Sequence, residues 1–370
     1  MTTYSQPFGY TACYVDDDSR EAQEYINRLN AVGGLDVSLM APTKDLSLIG
    51  IRPETQLFLV DWELNGRQES GIQVDYNGGT FAGRLREKFE ERPIVLTTNS
   101  SALSESKRRR LVDSYLFDAQ IFKEEMAKKP ESVVAKCVNL ITGYERLAQA
   151  DQTWKGLVSV LGVKEEDEEE KIGEAAPPLL KLNGGSTWQV PEIALWIQEI
   201  LLAYPGLLYD PLHAASYLGI AVEEFLTPSL QEFFKDARYT GPFAPSEGRW
   251  WKKRLTSVAM NLIVDAGIRG SSIYLNFAPA FAKLHGRELQ PSECVYSKSK
   301  HADWVCYVLK KPVLFEYTLT YQPDNRPRVM DAARVSFTAI QTSEEVFDEY
   351  FDSASRFFLK KIRRGEADEF

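Results

Sequence analysis

Four apolar residues, Leu57-Phe58-Leu59-Val60, run straight into Asp61 and then into Trp62-Glu63-Leu64-Asn65-Gly66. The run is too short for a free-standing helix and lacks the alternation of a half-exposed strand. It therefore predicts a short strand buried on both faces, ended by the Asn-Gly turn. Strands of that kind belong to parallel sheets, and open α/β sheets bind ligands at the carboxyl ends of their strands. Asp61 stands at such an end, although an Asp after a strand most often serves as a turn residue or helix cap.

Three further stretches repeat the pattern of apolar strand and polar tip. Tyr10-Thr11-Ala12-Cys13-Tyr14-Val15 leads into Asp16-Asp17-Asp18, Pro93-Ile94-Val95-Leu96 into Thr97-Thr98-Asn99-Ser100, and Ala119-Gln120-Ile121-Phe122 into Lys123. Side by side in a parallel sheet, these tips would bring together carboxylates, a hydroxyl and an ammonium, a set suited to phosphoryl chemistry. Asp16 and Asp17 would help Asp61 hold a hard divalent cation such as Mg²⁺ through oxygen ligands. The Asp61 carboxylate would attack the phosphoryl group to give an acyl phosphate. Thr98 would donate a hydrogen bond to one phosphoryl oxygen and Lys123 would pair with another. Thr97 is the alternative to Thr98, and counting from Pro93 favours Thr98.

On these motifs, residues 8 to about 145 resemble the receiver domain of two-component response regulators. In that family an acidic pair follows the first strand, the phospho-accepting Asp the third, a Thr or Ser the fourth and a Lys the fifth. The resemblance implies a flavodoxin-like, doubly wound five-stranded parallel sheet with Asp61 as phospho-acceptor. Asp61-Trp62-Glu63-Leu64 fits the family's Asp-x-x-Leu, which implies that the backbone carbonyl of Glu63 is a further metal ligand. It also implies a histidine kinase or phosphotransfer protein as phosphodonor. Asn65 and Glu124 stand where the family usually has Pro. Gln120 replaces the expected aromatic switch residue, so the usual relay from Thr to aromatic is missing.

A chain of 370 residues exceeds one ordinary core. The expected organisation is a receiver over 1–150, a helical extension and acidic linker over 151–186, and a separate α+β region over 187–370. With 44% apolar and 26% charged residues the chain has the profile of a globular protein. A formal net charge of −10 argues against a general nucleic-acid coat and gives an anionic membrane nothing to attract. Cys13, Cys137, Cys294 and Cys306 lack paired spacing and are expected as small buried groups in a reducing cytoplasm. The start at Met1-Thr2-Thr3-Tyr4 reads as no signal peptide, and no apolar run reaches spanning length, so a cytoplasmic location is expected.

Residues 19–29 predict the first helix, Leu35 to Leu39 the second strand, 65–80 a loop, 81–89 a helix, and 104–112 a helix carrying the basic run Lys107 to Arg110. Helical spacing continues over 131–147 and towards Leu161. The acidic block from Lys164 to Lys171, closed by Pro177-Pro178, predicts a solvated tether without core residues. Residues 187–290 predict mainly helix. Within them Ala215, Gly219 and Phe225 fit a helix-turn-helix, yet Glu223, Glu224 and Glu232 occupy places where phosphate binding calls for cations. Arg249-Trp250-Trp251-Lys252-Lys253-Arg254 predicts the opening of an amphipathic helix with buried tryptophans and outward cations. Residues 303–309 and 312–321 predict strands joined by a turn at Lys310-Lys311, 334–340 another strand, and 343–361 a closing helix.

Asp303 and Glu316 lack the Lys a metal nuclease would add two residues later. His213, His285 and His301 lack metal-ligand spacing, and no nucleotide-binding phosphate loop is present. The expectation is a non-enzymatic signalling protein that takes a phosphoryl group on Asp61 and acts through protein contacts of its C-terminal region. Expected partners are the histidine kinase or phosphotransfer protein, a second copy of the chain, and a protein effector in preference to nucleic acid. The alternatives are a phosphorylation-controlled transcription regulator and a phosphate-sink component of a phage-defence system.

Overall fold

The computed structural model describes residues 9–66, 68, 70–99, 116–164, 166–176 and 188–365. The basic run at 107–110 and Pro177-Pro178 lie outside them. Two compact units form: residues 1–161 with 182–198 and 241–243, and residues 162–181 with 199–240 and 244–370.

In the N-terminal unit the strands are β1 (Tyr10–Val15), β2 (Leu35–Met40), β3 (Leu57–Asp61), β4 (Ile94–Thr98) and β5 (Ala119–Phe122). They form one sheet in the order β2-β1-β3-β4-β5, with every pairing parallel. This is the flavodoxin-like, doubly wound arrangement. The chain winds from β1 outward to β2, then returns to lay β3 on the other side of β1. The carboxyl ends of β1 and β3 therefore flank the switch point where such sheets open a crevice. β3 and β4 are buried along their whole length, their apolar runs Leu57–Val60 and Ile94–Leu96 and their polar ends alike.

The helices up to residue 161 are α1 (Ser19–Val32), α2 (Gly78–Lys88), α3 (Lys123–Lys128), α4 (Pro130–Ala148) and α5 (Trp154–Val160), and Val190–Trp196 adds a further one to this unit. Asp18 caps α1, its side chain accepting from the N–H groups of Arg20 at 3.1 Å and Glu21 at 3.0 Å. Ala22, Ile26 and Leu29, at i, i+4 and i+7, bury its inner face. α2 begins at Gly78, three residues before the expected start, because the Asn77 side chain accepts from the Thr80 N–H and caps a Gly-Gly start that looks like loop in sequence.

Asp118 ties three of these elements together. Its carboxylate accepts from the Ile94 N–H at 2.6 Å, pairs with Arg86 at 2.7 Å and accepts from the Tyr144 hydroxyl. Asp118→Asn keeps the shape and loses the charge that Arg86 needs. It is expected to lower unfolding free energy by about 2 kcal/mol in urea titration, with an unchanged m-value.

The acidic stretch expected to be a tether is instead the helix α6 (Glu166–Ala175) of the second unit. Ile172 is fully buried, and the Glu168 carboxylate is buried against Arg254, at 2.6 Å from Nη2 and 2.9 Å from Nε. A partner far along the chain neutralises what composition alone marks as solvated charge, and Arg254 is correspondingly buried, not outward.

The rest of this unit packs around two cores. Helices Pro211–Tyr217, Lys252–Asp265 and Ile273–His285 enclose Phe225, Phe234, Trp250 and Phe277. Trp250 and Trp251 pair as a two-residue strand with Leu208–Tyr209, so the helix starts only at Lys252. Gly219 sits at φ +71°, where a Cβ would fall 1.9 Å from the Tyr274 carbonyl oxygen, so that position admits only glycine. The helix after it, Val222–Phe225, has four residues and is too short to lie along a DNA groove.

The second core gathers Cys294, Cys306, Val335, Phe337 and Leu359. Its strands are shorter than expected: Trp304–Val305 pairs with Pro312–Val313, and Thr318–Thr320 with Arg334–Ser336. The turn spans 306–311, closed by Cys306 N–H donating to the Lys311 carbonyl. The expected strand over 334–340 becomes helix from Phe337, because Ser336 caps it through the Ala339 N–H. The closing helix is Ser353–Arg363, starting at the Asp352 cap. All four cysteines are buried free thiols, and no described helix is long and apolar enough to cross a membrane.

Candidate functional site

The carboxyl ends of β1, β3, β4 and β5 deliver Asp16, Asp61, Thr98 and Lys123 to one cavity of about 480 Å³. Ligand oxygens of Asp16, Asp17 and Asp61 all lie within 4.8 Å of one another. The Lys123 ammonium, itself buried, stands 2.9 Å from Asp16 Oδ2, 3.1 Å from Asp61 Oδ2 and 3.5 Å from Glu21 Oε2. Local sequence explains the convergence. Each strand ends where its apolar run ends, and parallel pairing aligns the ends; the register sets Asp61 opposite Thr97.

Thr98 lines the cavity with Asn99; Thr97, the register partner of Asp61, is buried and is not part of the lining. Glu63 is exposed and lines the mouth beside Asn65 and Gly66.

Burial pushes the Asp61 carboxyl up to about 7, with Lys123 pulling it down and Asp16 raising it again. Burial also raises Asp17, and the Asp16 charge adds to it. The Lys123 ammonium is opposed by burial, but Asp16 and Asp61 outweigh that and hold its pKa above the ordinary value. Burial, then Asp16 and Asp61, push the Tyr14 phenol well up. One ammonium thus faces more carboxylate than it can neutralise.

That surplus, an all-oxygen donor set and a space kept open by Gly66 fit a hard divalent cation. A Cβ on Gly66 would stand 2.3 Å from Asp17 Oδ2. The residues placed to hold it are Asp16, Asp17 and Asp61.

Sequence reasoning missed two contributors. Glu21, on the first turn of α1, is a second-rank partner for Lys123, and its only signal is the Asp18 cap that fixes where α1 begins. Gly78 lets α2 abut β3: its Cβ would lie 2.0 Å from the Asp61 carbonyl oxygen, and its N–H donates to the Trp62 carbonyl at 2.9 Å. Backbone cannot yield as a side chain can. Gly78→Ala is expected to cost about 1–3 kcal/mol of stability in denaturant titration, and no loss would mean that α2 can shift freely.

Comparison with protein-family models finds no match, and neither does comparison with curated proteins. Among solved structures, the chain is similar to the CheY-like receiver domain protein from Methanospirillum hungatei, at 18% identity and TM-score 0.30 over 37% of this chain and 98% of that one. It is also similar to the receiver domain of Klebsiella pneumoniae RstA, at 20% identity and TM-score 0.28 over 35% and 97%. A third likeness is to DrrB of Thermotoga maritima, at 18% identity and TM-score 0.28, over 36% of this chain and 52% of that one. The matched part is N-terminal.

Proposed function

We propose that the N-terminal unit is a phospho-acceptor module of the response-regulator type, with Asp61 the residue that is modified. One observation carries this: three carboxylates within 4.8 Å and a buried ammonium 3.1 Å from Asp61 meet at the switch point of a doubly wound sheet. A carboxylate oxygen of Asp61 attacks the phosphorus of a partner's phosphohistidine. The P–N bond breaks, the imidazole leaves with the electron pair and takes up a proton, and an acyl phosphate forms on Asp61. Mg²⁺ held by Asp16, Asp17 and Asp61, with the Glu63 carbonyl as a further ligand, would neutralise the phosphoryl charge. Lys123 then exchanges its contact with Asp61 for a phosphoryl oxygen, and the Thr98 hydroxyl donates to another.

The module acts stoichiometrically, in the cytoplasm, and its donor is a histidine kinase or phosphotransfer protein. Output through protein contacts is favoured over DNA binding, because Glu223 and Glu224 stand where phosphates call for cations and Glu224 is held by Arg287 at 2.5 Å.

The test is intact-mass analysis after acetyl phosphate treatment with Mg²⁺ and with EDTA. A single added phosphoryl group, labile to hydroxylamine and dependent on Mg²⁺, is expected. An unchanged mass with Mg²⁺ would overturn the reading.

A further inference from the structure

The C-terminal unit contains a second cavity, of about 440 Å³, whose charge is opposite to that of the first. Its lining includes the cations Arg249, Lys310, Arg326 and Arg334, with His213 beside them, against only Asp210 and Glu247. In a chain of net charge −10, such a concentration of cations calls for a reason.

Two of the four Lys and Arg side chains have carboxylate partners, Arg249 with Glu247 at 3.2 Å and Arg326 with Asp324 at 2.8 Å, and the His213 ring lies 2.9 Å from Asp210. The other two cations have no such partner. Arg334, half-buried, donates to neutral oxygens only, the Thr318 and Thr320 hydroxyls and the Thr318 carbonyl, and lies 3.8 Å from the centre of the Phe315 ring. Lys310 touches the face of Tyr307, with Nζ 4.3 Å from the ring centre; its backbone N–H donates to the Cys306 carbonyl at 3.0 Å, while its ammonium makes no hydrogen bond or close ion pair among the described residues and feels Asp210 and Asp324 only at longer range. Its backbone lies at φ +49°, unusual for a lysine and well suited to Asn. Nothing in the fold therefore demands Lys310, and its charge faces the cavity.

The remaining wall is apolar and aromatic: Pro205, Leu212, Val222, Val305 and Trp304. Two cations without a close ion-paired carboxylate in the lining of one cavity, and apolar and aromatic side chains in the rest of it, suit a ligand with an anionic head and a planar body. The volume lies within the range of small-molecule sites.

We propose that this cavity binds a phosphate-bearing small molecule with an aromatic ring, of the nucleoside monophosphate class, its phosphate held by Lys310 and Arg334 and its ring against Trp304. The phosphate forms charge-assisted hydrogen bonds with the ammonium and completes the charge balance that Arg334 lacks. The site is independent of Asp61.

Isothermal titration of the full chain in EDTA, which denies the acidic site a metal, tests this with AMP, adenosine and inorganic phosphate. AMP is expected to bind, and adenosine and phosphate each to bind at least about tenfold more weakly. Lys310→Asn should weaken AMP by at least about tenfold at an unchanged melting temperature; Lys310→Gln provides the same comparison if the first variant fails to fold. The proposal is overturned if millimolar AMP does not bind, if adenosine or phosphate matches AMP, or if a folded Lys310 variant binds AMP as the parent does.

Discussion

Asp61→Asn is expected to abolish phosphoryl incorporation altogether, leaving the mass of the chain unchanged after acetyl phosphate and Mg²⁺. The amide is close to isosteric but offers no anionic oxygen for attack on phosphorus. The loss would not reflect unfolding. Lys123 keeps Asp16 at 2.9 Å and Glu21 at 3.5 Å, so its buried charge remains compensated when Asp61 is neutralised. A melting temperature in EDTA no lower than the parent's, with complete loss of label, is the expected pair of results. A label that survives the substitution would place the acceptor elsewhere, and Asp16 and Asp17 would be the residues to test next.

The second large effect concerns pH. Asp61 has an ordinary value of 3.8 and is held at about 7 in the folded metal-free protein, chiefly by burial. The folded state therefore binds this proton more tightly than the unfolded chain. Between about 7 and 3.8 stability rises as pH falls. Above pH 7 the full penalty of a buried carboxylate remains, about 4 kcal/mol for a shift of this size.

Asp61→Asn removes that penalty. In EDTA at pH 8 the variant should be more stable than the parent, and the advantage should shrink as pH falls through 7 towards 4. Taking the difference between the two proteins cancels the titration of Asp16, Asp17, Glu21 and Lys123 to the extent that they respond alike. Urea titrations across pH would measure it. Mg²⁺ should stabilise the parent at pH 8 and leave the variant nearly unaffected, since binding to the folded state alone adds stability by mass action. Equal stability of parent and variant at pH 8 would show that the Asp61 charge is well solvated.

Much of the N-terminal unit was legible because its signals are local. Leu57 to Val60 and Ile94 to Leu96 are buried on both faces, so apolarity without alternation reports parallel strands directly. Each run stops at a polar residue, which marks both the strand end and a site position. The same logic faltered where structure depends on distant partners. Residues 166–175 carry six acidic side chains and read as tether, yet Arg254 turns Glu168 into a buried anchor. The segment 334–340 has strand composition, but the Ser336 side chain caps a helix in its middle.

Glycines were the other blind spot. Asn77-Gly78-Gly79 has loop composition, and only the approach of α2 to β3 shows that Gly78 is required because the Asp61 carbonyl occupies the space of its Cβ.

The amino-acid sequence by itself determined which side chains end the strands of the parallel sheet, since that depends on apolar run length and the residue that follows. Tertiary structure alone decided their electrostatic meaning. Burial sets the proton affinity of Asp61, the pairing of Lys123 with Asp16 settles the local charge, and the packing of residues 203–334 gathers cations from distant segments around one cavity. Desolvation and Coulomb energies depend on distances through space, which residue order does not record.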